Sequence, residues 1–130
     1  LAICSRATPK EYLAYLKTSH IGTIIAGGER IDMREALEAL NRDHGVKILR
    51  IDSGGTLNSV LLHGGLVDEV SLLIHPVIAG GKAVPTLCDP EQAGITGLQV
   101  PLVHKSTEVL KDGIVWSRYA VPGNDPSGVR

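Results

Sequence analysis

At 130 residues, the chain is long enough for one domain with a real core and too short for two ordinary ones. A hydrophobic fraction of 43% argues against disorder. A formal charge of −1 without a Lys/Arg run, only 3% aromatics and no Phe make nucleic acid a poor partner.

No apolar run is long enough to span a membrane, and no charged-then-apolar leader is present, so a cytoplasmic location is expected by elimination. Cys4 and Cys88 lie far apart without CxxC spacing, which predicts buried free thiols. The opening Leu1-Ala2-Ile3-Cys4 reads as the end of a strand. With no initiator Met, upstream sequence is expected to be missing.

Thr8-Pro9-Lys10-Glu11 predicts a helix start, with Thr8 as cap, Pro9 in the first turn and Glu11 completing a capping box. Tyr12, Leu13, Tyr15 and Leu16 supply its apolar area, and it ends near Ser19. The β-branched run at 21–26 (IGTIIA) predicts a strand stopped by Gly27-Gly28. Asp32 caps a second helix over 33–43, with Glu35 at the capping-box position. Met33, Ala36, Leu37 and Leu40 give that helix one apolar face. A strand over 46–51 follows, and then the sequence Asp52-Ser53-Gly54-Gly55-Thr56.

That glycine pair is the pivot of the chain. Strand, tight turn and helix start together present free backbone N–H groups, which either close a turn or meet an anion. The spacing is neither GxGxxG nor a Walker A loop. Leu57, Val60 and Leu61 continue a third helix to His63. Residues 69–75 predict a strand with Val70, Leu72 and Ile74 on one side. These alternations predict neighbouring strands at 21–26, 46–51 and 69–75 in one sheet, with parallel pairing and helices on its faces. Residues 82–97 read as an irregular connection with one helical turn near Glu91. Strands at 98–107 and 114–121 are joined through Lys111-Asp112-Gly113, a hairpin signal. The tail, 122–130, is expected to be frayed and flexible.

Two stretches, SRATPKEYL at 5–13 and IDSGGTLNSVLLHGGLVDEVSLLIHPVIAGG at 51–81, make the chain similar to the reductase domain of riboflavin biosynthesis. That resemblance implies a dihydrofolate-reductase-like α/β fold, with a mixed sheet flanked by helices and a C-terminal antiparallel hairpin. It covers 1–121 as a partial reductase domain, roughly the C-terminal two thirds. The N-terminal part is expected to be absent, and the fragment alone is expected to be inactive.

The resemblance further implies NADPH as cofactor. Gly54, Gly55, Thr56 and Leu57 would form the pyrophosphate turn, with Ser53 preceding it. Ser5 and Arg6 would meet the adenosine 2′-phosphate side, and Gly27 and Gly28 would let the cofactor approach the same edge. Many members carry Glu where this chain has Ser53, so no acid or nicotinamide-orienting role is assigned there. The implied reaction is hydride delivery to the sugar C1 of a phosphorylated pyrimidine, a phosphoribosylamino-pyrimidine, turning ribosyl into ribityl. Homodimerisation is also implied; the apolar excess of the final hairpin supports it.

No residue qualifies independently as catalytic. Asp52 reads equally as a structural or a catalytic carboxylate, and Asp68-Glu69 as a helix-to-strand cap rather than an acid pair. The five histidines have no metal-ligand spacing; His75, ending a strand before Pro76, is the one to inspect. Gly80-Gly81 reads as a turn before a ligand contact. Ser53 and Ser59 lack a GxSxG elbow, which excludes a serine hydrolase. Two alternatives stay open: a reductase of the same fold with another pteridine or pyrimidine substrate, and a non-enzymatic dimeric α/β domain.

Overall fold

The computed structural model describes residues 1–81 and 85–123. The chain divides into two compact units, Leu1–Ile51 and Asp52–Arg130, each described by itself.

The first unit is a small α/β layer. Strands β1 (Ala2–Cys4) and β2 (Thr23–Ile25) pair in parallel, Ala2 with Thr23 and Cys4 with Ile25. Helix α1 (Lys10–Thr18) connects them, and α2 (Met33–His44) packs on β2. The buried core is Ile24 and Ala26 from the sheet side against Ala36 and Ala39, with Ile3 and Leu40 completing it. Alanines on the helix face permit close packing on the strand, where Leu37 and Met33 stay half-buried at its sides. Asp32 caps α2, its Oδ1 accepting from the N–H groups of Arg34 (2.9 Å) and Glu35 (3.1 Å). Gly45, in the left-handed region at φ 66°, ends it.

Helix α1 differs from its sequence reading. Pro9 is the N-cap residue and makes no side-chain cap bond. Thr8 instead turns its Oγ1 to the Ser5 N–H at 3.0 Å, closing the loop before the helix. Of the four expected apolar contributors only Leu16 is buried; Tyr12 and Tyr15 are exposed and stack on one another.

The second unit begins with α3 (Gly55–His63) and continues into a three-stranded antiparallel sheet in the order β3-β5-β4. Its strands are β3 (Glu69–Ile74), β4 (Val103–Val109) and β5 (Val115–Ala120). The hairpin reverses as its Asp-Gly pair predicts, with Asp112 and Gly113 at φ 62° and 75° and Leu110 N–H bonded to Ile114 O. Strand β4 starts at Val103 rather than 98, because Pro101 has no N–H for a ladder. A bulge between His104 and Ser106 shifts the register against β5. Near Glu91 a hydrogen-bonded turn forms, Gly94 N–H to Glu91 O and Ile95 N–H to Pro90 O. Of the expected tail, residues 122–123 form a turn and 124–130 lie outside the described residues, as do 82–84.

Glu69 clasps this sheet. Its Oε2 meets Lys105 Nζ at 2.6 Å, and its Oε1 meets Arg118 Nε at 2.9 Å. Arg118 lies opposite Ser71 on β5, so one carboxylate joins all three strands. Bonds first from Arg118 and then from Lys105 hold the Glu69 carboxyl at about 2, well below its ordinary value. Asp68-Glu69 is therefore neither an acid pair nor a simple cap: Asp68 O accepts from Val121 N–H, while Glu69 locks strands.

The single sheet expected from 21–26, 46–51 and 69–75 is not formed. β2 and β3 lie in separate sheets, and residues 46–51 join no ladder. That run is apolar and β-branched, but a strand is made by pairing, and here Ile48 is left 93% exposed.

Candidate functional site

In the first unit, the site residues expected from sequence converge on the loops that follow the paired strands. Arg6 N–H donates to Gly27 O at 3.3 Å and Ala7 N–H to Gly28 O at 3.1 Å, extending the β1–β2 pairing into both loops. Ser5 is buried, held by the Thr8 turn. Gly27 sits at φ 76°, and a Cβ there would strike the backbone at Arg30 and Asp32. Only glycine fits. Gly28, by contrast, faces open space.

The Arg6 side chain is not a loose fork. Its Nη1 donates to Gly27 O at 2.7 Å, and its Nη2 to Glu35 Oε1 at 2.8 Å. Glu35 Oε2 accepts from Gly27 N–H at 2.6 Å and weakly from Arg6 Nη1 at 3.4 Å. Hydrogen bonding from Arg6, then from Gly27 N–H, lowers the Glu35 pKa below the usual carboxylate range, and the same pairing raises that of Arg6. Sequence reasoning placed Glu35 in a capping box. In the structure Asp32 caps alone, and Glu35 spans back to the strand-end loop. Its spacing from Asp32 fits a capping box fully, so no local signal separates the two roles.

In the second unit, Gly54 is the N-cap of α3 in extended conformation, with open space where a Cβ would stand. Gly55 is enclosed instead. A Cβ there would lie 2.8 Å from Thr86 O and from Asp89 N, and Asp89 N–H donates to Gly55 O at 3.0 Å. The close approach that Gly55 permits is therefore that of residues 86–89. Ser53 Oγ donates to Asn58 Oδ1 at 2.7 Å, Asn58 Nδ2 donates to Leu87 O at 2.9 Å, and Thr56 Oγ1 donates to Gln92 Oε1 at 3.2 Å. These contacts fasten residues 86–92 to the first turn of α3. Leu57 is 37% exposed. Among the described residues, no acceptor takes the N–H groups of Gly55, Thr56 or Leu57, the donors a helix start leaves unpaired.

The structure thus assembles Ser5, Arg6, Gly27 and Gly28 in one unit, and Ser53, Gly54, Gly55, Thr56 and Leu57 in the other. Arg6 keeps donors beyond its bonds to Gly27 and Glu35, and the start of α3 carries N–H groups that no acceptor takes among the described residues. Cys4 is buried and Cys88 half-buried, both free. His75 is exposed, and Gly81 takes a positive φ of 133°. Among the described residues no His/Cys/Asp/Glu group could hold a metal ion, and no helix is long and apolar enough to cross a membrane.

Comparison with known proteins gives consistent matches. The sequence profile of the RibD C-terminal domain matches residues 1–116. A 2,5-diamino-6-ribosylamino-4(3H)-pyrimidinone 5′-phosphate reductase of Methanothermobacter thermautotrophicus is 40% identical over 119 residues, 92% of this chain and 54% of the relative. The same-named reductase of Archaeoglobus fulgidus is 37% identical over 91 residues, 70% of this chain and 41% of the relative. The chain therefore spans about half the length, or less, of these relatives. A crystal structure of a pyrimidine reductase-like protein from Corynebacterium diphtheriae superposes with a TM-score of 0.75 at 22% identity, over 92% of this chain and 48% of that one. The fold is accordingly the expected mixed α/β, dihydrofolate-reductase-like one with a C-terminal antiparallel hairpin.

Proposed function

The chain belongs to the RibD C-terminal domain family, and from that premise we propose that it is part of an NADPH-dependent pyrimidine reductase. The substrate of this reading is a phosphoribosylamino-pyrimidine, reduced at the sugar C1 so that ribosyl becomes ribityl. When bound, the cofactor supplies the hydride; the protein supplies placement and electrostatics. The observation that carries the reading is the start of α3, where Gly54 is open and three N–H groups are unpaired among the described residues. Those donors stabilise a pyrophosphate without a basic side chain. Arg6 adds a charged donor pair for the 2′-phosphate, and Gly28 leaves the neighbouring backbone open. The reductase acts in the cytoplasm as a homodimer, which would cover strand β4 at the sheet edge, where Val103 and Val109 are exposed.

One observation favours a second, non-enzymatic reading. Ser53 stands before the glycine pair and donates its Oγ–H to Asn58 Oδ1 on α3, and the candidate cofactor-binding residues include no carboxylic acid or imidazole to act as general acid. NADPH titration of the full-length protein separates the two. Gly54→Val is the informative variant, because its side chain enters open space and leaves the 86–89 packing intact. Expected is a loss of NADPH affinity of about tenfold or more with unchanged circular dichroism. Unaltered affinity in the folded variant would remove the proposed turn from the site. Absence of nucleotide binding in the unaltered protein would favour the non-enzymatic domain.

A further inference from the structure

The cluster around Arg6 contains a residue that the cofactor reading does not use. A guanidinium offers five N–H donors, and in Arg6 both Nη1 donors and one Nη2 donor are engaged, by Gly27 O and by the Glu35 carboxylate. Glu35 takes the end-on edge, shared by Nη1 and Nη2. Among the described residues the Nε–H and the second Nη2 donor remain, and these two form the side-on edge, which presents a parallel pair to a phosphate. Glu35 also binds Gly27 N–H, so a single carboxylate fixes both the arginine and the glycine loop beside it.

We propose that Glu35 is a positioning residue that sets selectivity for the 2′-phosphate, acting through Arg6; the inference rests on the NADPH reading above. Arg6 is 60% exposed, and an exposed arginine without a partner samples many rotamers. With Glu35 and Gly27 O holding its end-on edge and Nη1, the side chain is fixed before any ligand arrives, and the side-on edge is the one left to bind it. The carboxylate also repels a phosphate, but it binds the neighbouring edge, its charge is balanced by Arg6, and solvent screens what remains. Positioning therefore outweighs repulsion. An acidic residue at an adenosine site ordinarily accepts from the ribose 2′-hydroxyl and favours NADH. Here its oxygens are already committed to Arg6 and Gly27.

The test uses full-length protein and titrates NADPH and NADH against Arg6→Ala, Glu35→Ala, the double variant and Glu35→Gln, with circular dichroism as the folding control. Glu35→Ala is expected to weaken NADPH about tenfold and NADH by less than about twofold. In the Arg6→Ala background, removing Glu35 should cost nothing further for NADPH, an outcome that a purely structural role would not produce. Glu35→Gln keeps an acceptor for Gly27 N–H, carries the test should Glu35→Ala fail to fold, and should lose less NADPH affinity than Glu35→Ala. If Arg6→Ala abolishes NADPH preference while Glu35→Ala or Glu35→Gln leaves it unchanged or raises it, the positioning role is overturned and the site stands. If Arg6→Ala weakens both nucleotides equally, or the unaltered protein binds neither, the underlying reading fails and the role of Glu35 fails with it.

Discussion

Replacing Glu69 by Gln removes the charge that joins all three strands of the C-terminal sheet. In the native sheet Glu69 Oε2 lies 2.6 Å from Lys105 Nζ, and Oε1 lies 2.9 Å from Arg118 Nε. Its carboxyl is held at about 2 against an ordinary 4.5. That difference corresponds to about 3 kcal/mol if fully expressed. The Glu69 side chain is 32% exposed and both partners more so, hence solvent and salt reduce the contribution to about 1 kcal/mol. The sign follows from the direction of the shift. A carboxylate whose folded pKa is depressed stabilises fully above its unfolded value, and the stabilisation is lost as pH falls through the folded one. The native protein should therefore exceed Glu69→Gln by about 1 kcal/mol near neutral pH, with the gap closing between about pH 4.5 and pH 2. Urea unfolding followed by Trp116 fluorescence measures this directly. Trp116 is the sole tryptophan, sits on β5 and donates to Ser71 Oγ at 2.8 Å, so its signal reports this sheet. Equal midpoints at neutral pH, or a gap that persists unchanged near pH 2, would refute the clasp.

Gly27→Ala should destabilise the first unit by about 3 kcal/mol or more, since φ is 76° and the added Cβ meets backbone at two places; a thermal midpoint equal to the native one would contradict this. Ser59 is fully buried with its Oγ unpartnered among the described residues. Ser59→Ala should be neutral or stabilising by up to about 1 kcal/mol in urea unfolding, and a clear loss would reveal a partner for the hydroxyl. The homodimer predicts sedimentation at twice the monomer mass at micromolar concentration; a monomer across that range would count against it.

The elements legible in the sequence were those fixed by local chemistry. Asp32 caps α2 because an aspartate before an apolar-periodic run satisfies N–H groups two and three residues on. Asp112-Gly113 reverses the hairpin because both adopt positive φ. Residues 46–51 illustrate the opposite case. Their β-branched composition permits an extended backbone and says nothing about which neighbour supplies a ladder, so composition alone could not reveal that the run joins no strand among the described residues. Pro101 shortened β4 for a reason that was visible, while the bulge at His104 and Ser106 has no comparable local signature.

The candidate site divides along the same line. Gly54 and Gly55 were recognisable as a pair before a helix, yet their roles are opposite: one faces open space and the other is filled by residues 86–89, more than thirty positions later in the chain. A Cβ is excluded at Gly55 by contact, not by φ, and contact between distant segments leaves no periodic trace. Glu35 shows why a satisfied local pattern can still mislead. At three residues after Asp32 it has every feature of a capping box, but the carboxylate spans to Gly27 N–H and Arg6, where an ion pair and a strand-end amide offer it more than the cap does. A capping box needs an acceptor only for the cap residue's own N–H. The Arg6 loop offers a charged donor pair beside the Gly27 N–H, and Glu35 takes both at once. Those donors come together only once β1 and β2 have paired, so the local pattern around Asp32 carries no trace of them.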